Sequence, residues 1–324
     1  MRIVVSGGAG FVGRAVVRLL RERGATVVAL VRDPGHAALL RELGAELVAN
    51  DLSDVASLAE ALRGADGVIH AAGSYRIGIP AAERAAMWDA NVGTTTRILD
   101  AAAAAGTPRI VYVSTVNVFG NTSGVVVDEA YRRDVGRGFL TWYDETKYRA
   151  HDAAERRIAA GAPIVIVQPS QVYGPGDHSG FGEQIQLAYV GKLRYRAVEG
   201  LRIGLVHVDD LAAGIVAALE RGRVGESYVL SGPAVSLREA TAIAARIGGH
   251  PLPRLVAPDG LLRIMAPLGR FMGQPNLREI VDSSSGVTYL ATSAKAEREL
   301  GFRARDIETG LREVLGAART GKAD

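Results

Sequence analysis

The chain contains no cysteine. Disulfides, thiolate nucleophiles and cysteine-ligated zinc are therefore excluded, and nothing asks for an oxidising compartment. Lysine is scarce: four residues among the 38 basic ones, so arginine carries nearly all of the positive charge. The arginines are spread along the chain and interleaved with Asp and Glu. Despite a pI near 9.2, that pattern reads as solvated helix faces and not as a nucleic-acid stripe. No uninterrupted apolar stretch reaches the roughly 20 residues that span a bilayer. The opening Met1–Gly7 runs straight into a strand, with neither an h-region nor a small-residue cleavage site. A cytoplasmic location, with no nucleic-acid or membrane partner, is the expectation. The six histidines lack metal-ligand spacing, so no metal site is expected.

What is present is alternation. Val/Ile-rich runs at Arg2–Ser6, Thr26–Val31, Glu46–Ala49, Gly67–Ala71, Arg109–Ser114 and Ile164–Val167 read as strands. Alanine-rich helical stretches separate them, at Phe11–Arg23, Asp54–Leu62, Ala81–Ala105 and Thr141–Ala160. Near-continuous apolar strands between helices predict an α/β fold, a doubly wound Rossmann-type parallel sheet covered on both faces. The rhythm breaks after Pro169, in a stretch rich in Gly, Pro and polar residues. Residues 1–170 with about 203–230 are expected to form the dinucleotide-binding domain. Residues 171–202 and 231–324 are expected to form a smaller mixed α/β substrate lobe.

The first strand leads into Gly7-Gly8-Ala9-Gly10-Phe11-Val12-Gly13. Read through Gly7 or through Gly8, with Gly10 and Gly13, the glycines after a strand and before a helix allow a tight turn, close approach of the backbone to phosphate, and close helix–strand packing. Gly7, Gly10, Phe11, Val12 and Gly13 are thus the expected pyrophosphate cradle. At the end of the second strand, where a carboxylate would select NAD, stand Val31 and Arg32. An arginine fork suits a 2′-phosphate, so NADP is expected, with NAD as the alternative. Asp33, followed by Pro34, reads as a helix N-cap, with a ribose ligand as the alternative. Asp51-Leu52 is placed to meet the adenine or, equally, to start a helix. Ala71, Ala72 and Gly73 are small enough for the cofactor backbone to lie close.

Tyr143 and Lys147 stand four apart on one helix face. A lysine cation beside a phenol favours the phenolate and lowers its pKa, which suits proton transfer near neutral pH. His70 reads as packed or backbone-bonded. In His207-Val208-Asp209-Asp210, Asp209 or Asp210 is expected to cap the helix Leu211–Arg221. Pro251–Phe271, with Leu261, Leu262, Ile264, Met265 and Leu268, is apolar and suits either a greasy substrate or ordinary packing.

Taken in order, these pieces resemble the extended short-chain dehydrogenase/reductase family. The resemblance also rests on Asn91-Val92-Gly93-Thr94, Val113-Ser114-Thr115 with Gly120, Val172-Tyr173-Gly174-Pro175-Gly176-Asp177 and Glu299-Leu300-Gly301-Phe302. It implies Tyr143 as proton donor and acceptor, Lys147 on the nicotinamide ribose, and Thr115 on the substrate oxygen, with Ser114 as the neighbouring alternative. It adds Pro169 and Ser170 to the cofactor side, and a homodimer built on the two long helices. Dehydratases of the family carry Asp-Glu directly after the catalytic Thr; Val116-Asn117 here removes the acid and base of elimination. Val31-Arg32-Asp33-Pro34 and Pro169-Ser170 look more like the dihydroflavonol reductase and 3β-hydroxysteroid dehydrogenase branch. The implied activity is NADPH-dependent reduction of a ketone or aldehyde, on a small-molecule carbonyl or alcohol substrate. A nucleotide-sugar epimerase or dehydrogenase is the alternative, and a non-catalytic NADP-sensing module the third reading. The stretch Gly174–Gly182, the second lobe and the insert from about Thr122 to Leu140 are expected to close over the site.

Overall fold

The computed structural model describes residues 1–267 and 276–319. Its centre is a seven-stranded, wholly parallel sheet. The strands are β1 (Arg2–Ser6), β2 (Thr26–Val31), β3 (Glu46–Ala49), β4 (Gly67–His70), β5 (Ile110–Val113), β6 (Ile164–Pro169) and, late in the chain, β9 (Ser227–Leu230). Their order is β3-β2-β1-β4-β5-β6-β9. The direction reverses beside β1, and in such sheets ligands bind at the carboxyl ends of the strands around that point.

Side chains alternate across the sheet, as the two-residue strand period requires. Ile3, Val5, Val27, Ala29, Val111 and Val165 face one layer. That layer is α1 (Phe11–Glu22) and α8 (Val208–Arg221). Val4, Val28, Leu30, Val68, Tyr112 and Ile166 face the other. There lie α3 (Val55–Leu62), α5 (Thr94–Ala104) and α6 (Trp142–Ala159). With both faces covered, the strands must be apolar throughout, and that is the continuous Val/Ile signal of the sequence.

The expected helix over Ala81–Ala105 is one helical run with a fault in it. A 3₁₀ turn and α4 (Arg84–Trp88) lead into a π-helical turn over Asp89–Gly93, and α5 follows. Such turns insert one residue and re-aim a side chain, often at a functional site; here that residue is Asn91.

A smaller four-stranded sheet makes the second lobe. Its centre is β8 (Arg202–His207), flanked by β7 (Gln171–Tyr173), β10 (Ala234–Ser236) and β11 (Thr288–Tyr289). The expected assignment of about 203–230 to the first domain therefore divides. β8 belongs to the small sheet, while α8 and β9 belong to the large one. β8 is as apolar as any central strand, so its partner could not be read from its pattern. The capping expectation for α8 is corrected too. The helix starts at Val208, and the His207 Nδ1 accepts from the Asp209 N–H at 3.2 Å. Asp209 pairs instead with Arg18, and Asp210 takes the Arg305 guanidinium.

β9 is an edge strand, and side chains blunt its edge. Glu129 accepts from the Val229 N–H at 2.7 Å, and Lys295 donates to the Ser227 carbonyl at 2.8 Å. Ser293 accepts from the Ser231 N–H at 3.1 Å. Capped edges do not recruit foreign strands. The insert over 122–140 is tied to the second lobe. The Thr122 N–H reaches the Thr288 carbonyl at 2.8 Å, and the Val127 N–H reaches Leu290 at 3.0 Å. In the apolar stretch 251–271, α10 (Asp259–Met265) leaves Leu261 and Ile264 exposed. Leu268 and Phe271 lie outside the described residues. No helix among the described residues is long and apolar enough to cross a membrane.

Candidate active site

The glycine turn is as tight as the sequence implied. Gly7 holds φ at +75°, and a Cβ there would sit 2.5 Å from the Ala72 nitrogen. A Cβ on Gly13 would fall 2.8 Å from the Gly8 Cα and inside the Gly7 carbonyl. Strand end, helix start and the β4 loop thus meet backbone to backbone. The N-cap Gly10 makes no side-chain cap, so the first N–H groups of α1 stay open to an anion. Ala71, Ala72 and Gly73 follow β4 beside this turn. Gly176, in the stretch expected to act as a lid, lies against Phe11 and Arg14 of α1. These features fit a dinucleotide pyrophosphate.

At the end of β2, Arg32 is exposed and has no hydrogen bond or ion pair among the described residues. Asp33 is turned into its own loop, accepting from the Gly35 N–H at 2.7 Å and bonding His36 Nδ1 at 2.5 Å. Asp51 bonds the Ser53 N–H at 2.9 Å, and Asp54 caps α3. Leu52 adopts a left-handed backbone (φ +63°), steadied by Asn50, which accepts from its N–H at 2.8 Å. Pro169 ends β6, and the buried Ser170 hydroxyl has no hydrogen-bond partner among the described residues.

The catalytic candidates converge where β5 ends. Thr141 caps α6, accepting from the Asp144 N–H at 2.9 Å. Glu279, from α11 (Leu277–Asp282) of the second lobe, accepts from the Trp142 N–H at 2.8 Å. The first turn of α6 is therefore held from both lobes, and Tyr143 lies in it. Its ring is buried and meets Tyr75 edge-on, centroids 4.8 Å apart. The two hydroxyls at the end of β5 part company. Ser114 bonds His151 Nδ1 at 2.9 Å, whereas Thr115 faces the Tyr143 phenol. Thr115 also donates to the Asn117 Oδ1 at 3.1 Å.

Burial raises the Tyr143 pKa above the ordinary phenol value, and the charge of Asp144 adds to it. Thr115 pulls the other way but does not win. Lys147 does not offset the burial, because its ammonium reaches the Val113 carbonyl at 3.2 Å and the Tyr112 phenol at 3.5 Å. Burial also lowers the Lys147 pKa to about 8. Tyr143 is thus protonated at neutral pH, the state of a proton donor.

Asp144 and Tyr75 were not named from the sequence, and Asn91 and Asn117 were named only within family runs, without a role of their own in the site. Asn91 donates to the Ser74 carbonyl at 3.0 Å and to Thr146 at 2.9 Å, joining the β4 loop to α6. Its only sequence signal was the Asn-Val-Gly-Thr run. Asp144 is fully buried. One carboxylate oxygen accepts from the Asn117 amide at 3.1 Å, and the other has no partner among the described residues. Burial pushes its pKa up from 3.8 to about 6. The folded chain therefore binds this proton more tightly than the unfolded chain, and folded stability falls as pH rises from 3.8 through about 6. Asp144→Asn is expected to raise the melting temperature by about 5 °C at pH 8 and to give no gain at pH 4. Equal shifts at both pH values in calorimetry would refute this assignment.

His70 is buried and bonded to side chains, to Ser6 at 2.7 Å and Thr95 at 3.0 Å. No cluster of metal-ligating side chains occurs among the described residues.

A glycine cradle at the sheet's switch point, with a Tyr–Lys helix across from it, matches one family description. Residues 3–231 fit the model of the NAD dependent epimerase/dehydratase family. The chain belongs to that family. Its members use a nicotinamide dinucleotide, and this chain is an NAD(P)-dependent enzyme of the short-chain dehydrogenase/reductase type. A Synechocystis protein provisionally designated dihydroflavonol 4-reductase is 33% identical, over 96% of this chain and 92% of its own length. A Stigmatella aurantiaca ketoreductase acting on a 4-hydroxy-2-methyl-3-oxo-4-farnesyl-3,4-dihydroquinoline-1-oxide is 32% identical, over 94% of this chain and 92% of its own. Epimerases are also similar. The structure of a nucleoside-diphosphate-sugar epimerase from Pseudomonas aeruginosa superposes with a TM-score of 0.81 at 25% identity, covering 100% of this chain and 99% of that one.

Proposed function

We propose that this family member is an NADP(H)-dependent reductase of a ketone or aldehyde on a small or apolar substrate, with Tyr143 as proton donor. The observation that carries the proposal is the buried, protonated Tyr143 phenol facing Thr115 at the end of β5. A reduced nicotinamide, when bound, supplies the hydride. The chain supplies position and a proton. Tyr143 gives its phenolic proton to the carbonyl oxygen as charge grows there. Thr115, turning its hydroxyl proton from the Asn117 Oδ1 to the same oxygen, donates to it and orients it. Lys147 places a cation at the base of the pocket, on the cofactor side.

Two features support NADP. Arg32 is exposed and uncommitted among the described residues, and the adjacent carboxylate, Asp33, is engaged within its own turn. Elimination of water is disfavoured because Val116 is buried and apolar, and Asn117 carries an amide in place of an acid. A nucleotide-sugar epimerase with tightly bound NAD(P) is the second reading, favoured by the epimerase likeness.

Absorbance at 340 nm separates the two. The reductase consumes NADPH in step with an added ketone or aldehyde, whereas an epimerase shows no net oxidation of the cofactor. In the same assay, Arg32→Ala is expected to raise the KM for NADPH about tenfold or more and leave that for NADH nearly unchanged. Equal effects on both cofactors would reject the 2′-phosphate role.

A further inference from the structure

The Lys147 ammonium is buried, and among the described residues no carboxylate pairs with it. A buried ammonium is costly unless its N–H groups are accepted. Two acceptors are in place, the Val113 carbonyl at 3.2 Å and the Tyr112 phenol oxygen at 3.5 Å. The ammonium also lies 5.2 Å from the centre of the Tyr112 ring, within reach of its π face. Two of three N–H groups are thus committed to β5, and one remains for the cleft.

Tyr112 has no solvent exposure and is itself held. Its ring stacks on His70 of β4, 5.7 Å between centroids and 18° between planes. The hydroxyls of Thr95 and Ser114 face its phenol. Thr95 donates its single proton to the Asn91 carbonyl at 2.7 Å. It must therefore accept from His70 Nε2–H, and His70 Nδ1 must accept from Ser6. His70 is neutral, and burial, followed by the nearby Lys147 charge, holds its pKa down to about 3. His151, one turn beyond Lys147, is turned to Ser114 and Glu155. The titratable groups around the ammonium are then His70 from β4, Tyr112 from β5 and Tyr143 from its own helix. A phenylalanine would fill the space of Tyr112 and stack equally well on His70. The hydroxyl is the part that packing does not explain.

We propose that Tyr112 is a positioning residue: its phenol oxygen, on a ring fixed by the stack on His70, holds the Lys147 ammonium charged and in place before the dinucleotide arrives. This rests on the reading that Lys147 serves the bound cofactor. Removing the hydroxyl takes away one acceptor from the ammonium and keeps the ring. The cation is then less favoured, and the Lys147 pKa falls.

The scarcity of lysine makes the test direct. Lysine labelled with ¹³C at Cε and ¹⁵N at Nζ gives signals from four residues, and Lys147→Arg assigns one by its disappearance. In the cofactor-free chain, Tyr112→Phe is expected to move the Lys147 titration down by about half a pH unit or more. It is also expected to weaken NADPH binding at pH 8 by about threefold, and less at pH 6.5, as read by nucleotide fluorescence. A Lys147 titration unmoved within about 0.2 pH unit overturns the proposal. Should the variant fail to fold, nuclear Overhauser contacts between the Lys147 Cε protons and the Tyr112 ring in the unsubstituted chain decide instead, and their absence overturns it. A chain that binds no NADPH sinks the reductase reading, while the cofactor-free titration still judges Tyr112.

Discussion

Tyr143→Phe is expected to lower kcat by about 10³-fold and leave NADPH affinity within about twofold. The basis is the separation of packing from chemistry at this position. The ring is buried against Tyr75, and phenylalanine keeps that edge-on contact. Only the hydroxyl is lost, and with it the proton that Thr115 faces. A positioned general acid contributes about 10² to 10⁴ in rate. Near neutral pH the phenol is neutral in the folded and unfolded chain alike, so its raised pKa adds nothing there, and stability is expected to stay nearly unchanged. Steady-state kinetics and a fluorescence titration of NADPH check the two halves. Activity within tenfold of the parent would transfer the proton to another donor. A chain with no activity before the substitution, yet firm NADPH binding, would point to the sensing module.

Gly13→Ala is expected to weaken NADPH binding at least about 100-fold and to lower the melting temperature by about 5 °C. The added methyl meets backbone and not a movable side chain: the Gly7 carbonyl carbon at 2.7 Å and the Gly8 Cα at 2.8 Å. Neither can rotate away, so α1 must lift from β1. Overpacking of this kind costs about 3 kcal/mol, and the lift moves the N–H groups of Phe11 and Val12 that would meet phosphate. Gly24→Ala is the control. Gly24 also has a positive φ, +78°, but nothing lies within 4 Å of the added methyl. That change is expected to cost only the backbone strain of about 1 kcal/mol, with cofactor affinity intact. Equal losses in both variants would show that backbone conformation, and not close helix–strand approach, makes the cradle. Differential scanning fluorimetry beside the binding titration resolves the two.

The large sheet was legible because each of its strands carries its own signal. Val27, Val28 and Ala29 are buried alternately against two helical layers, and only an apolar run can satisfy both. The glycine turn and the Tyr143–Lys147 spacing were legible for a like reason, since the chemistry lies within seven residues or one helical turn. β8 was not legible as a strand of the second lobe. Its apolar run is equally suited to the large sheet, and the choice depends on β7, β10 and β11, which come from three distant segments. The cap of α8 was misread because two aspartates look like better caps than a histidine. In the fold both are drawn to arginines, Arg18 and Arg305, that come from elsewhere in the chain.

Sequence alone settled the class of fold, the place of the dinucleotide turn and the residue types able to move a proton, because these are written in periods of two, of 3.6 and of a few residues. The tertiary structure alone decided which groups those residues answer to. Asn117 meets Asp144 across 27 positions, Lys147 meets Tyr112 across 35, and Glu279 caps α6 across 137. Contacts over such separations arise from strand ends converging at one edge of a sheet. No local pattern encodes them, because each joins residues that only the fold brings together.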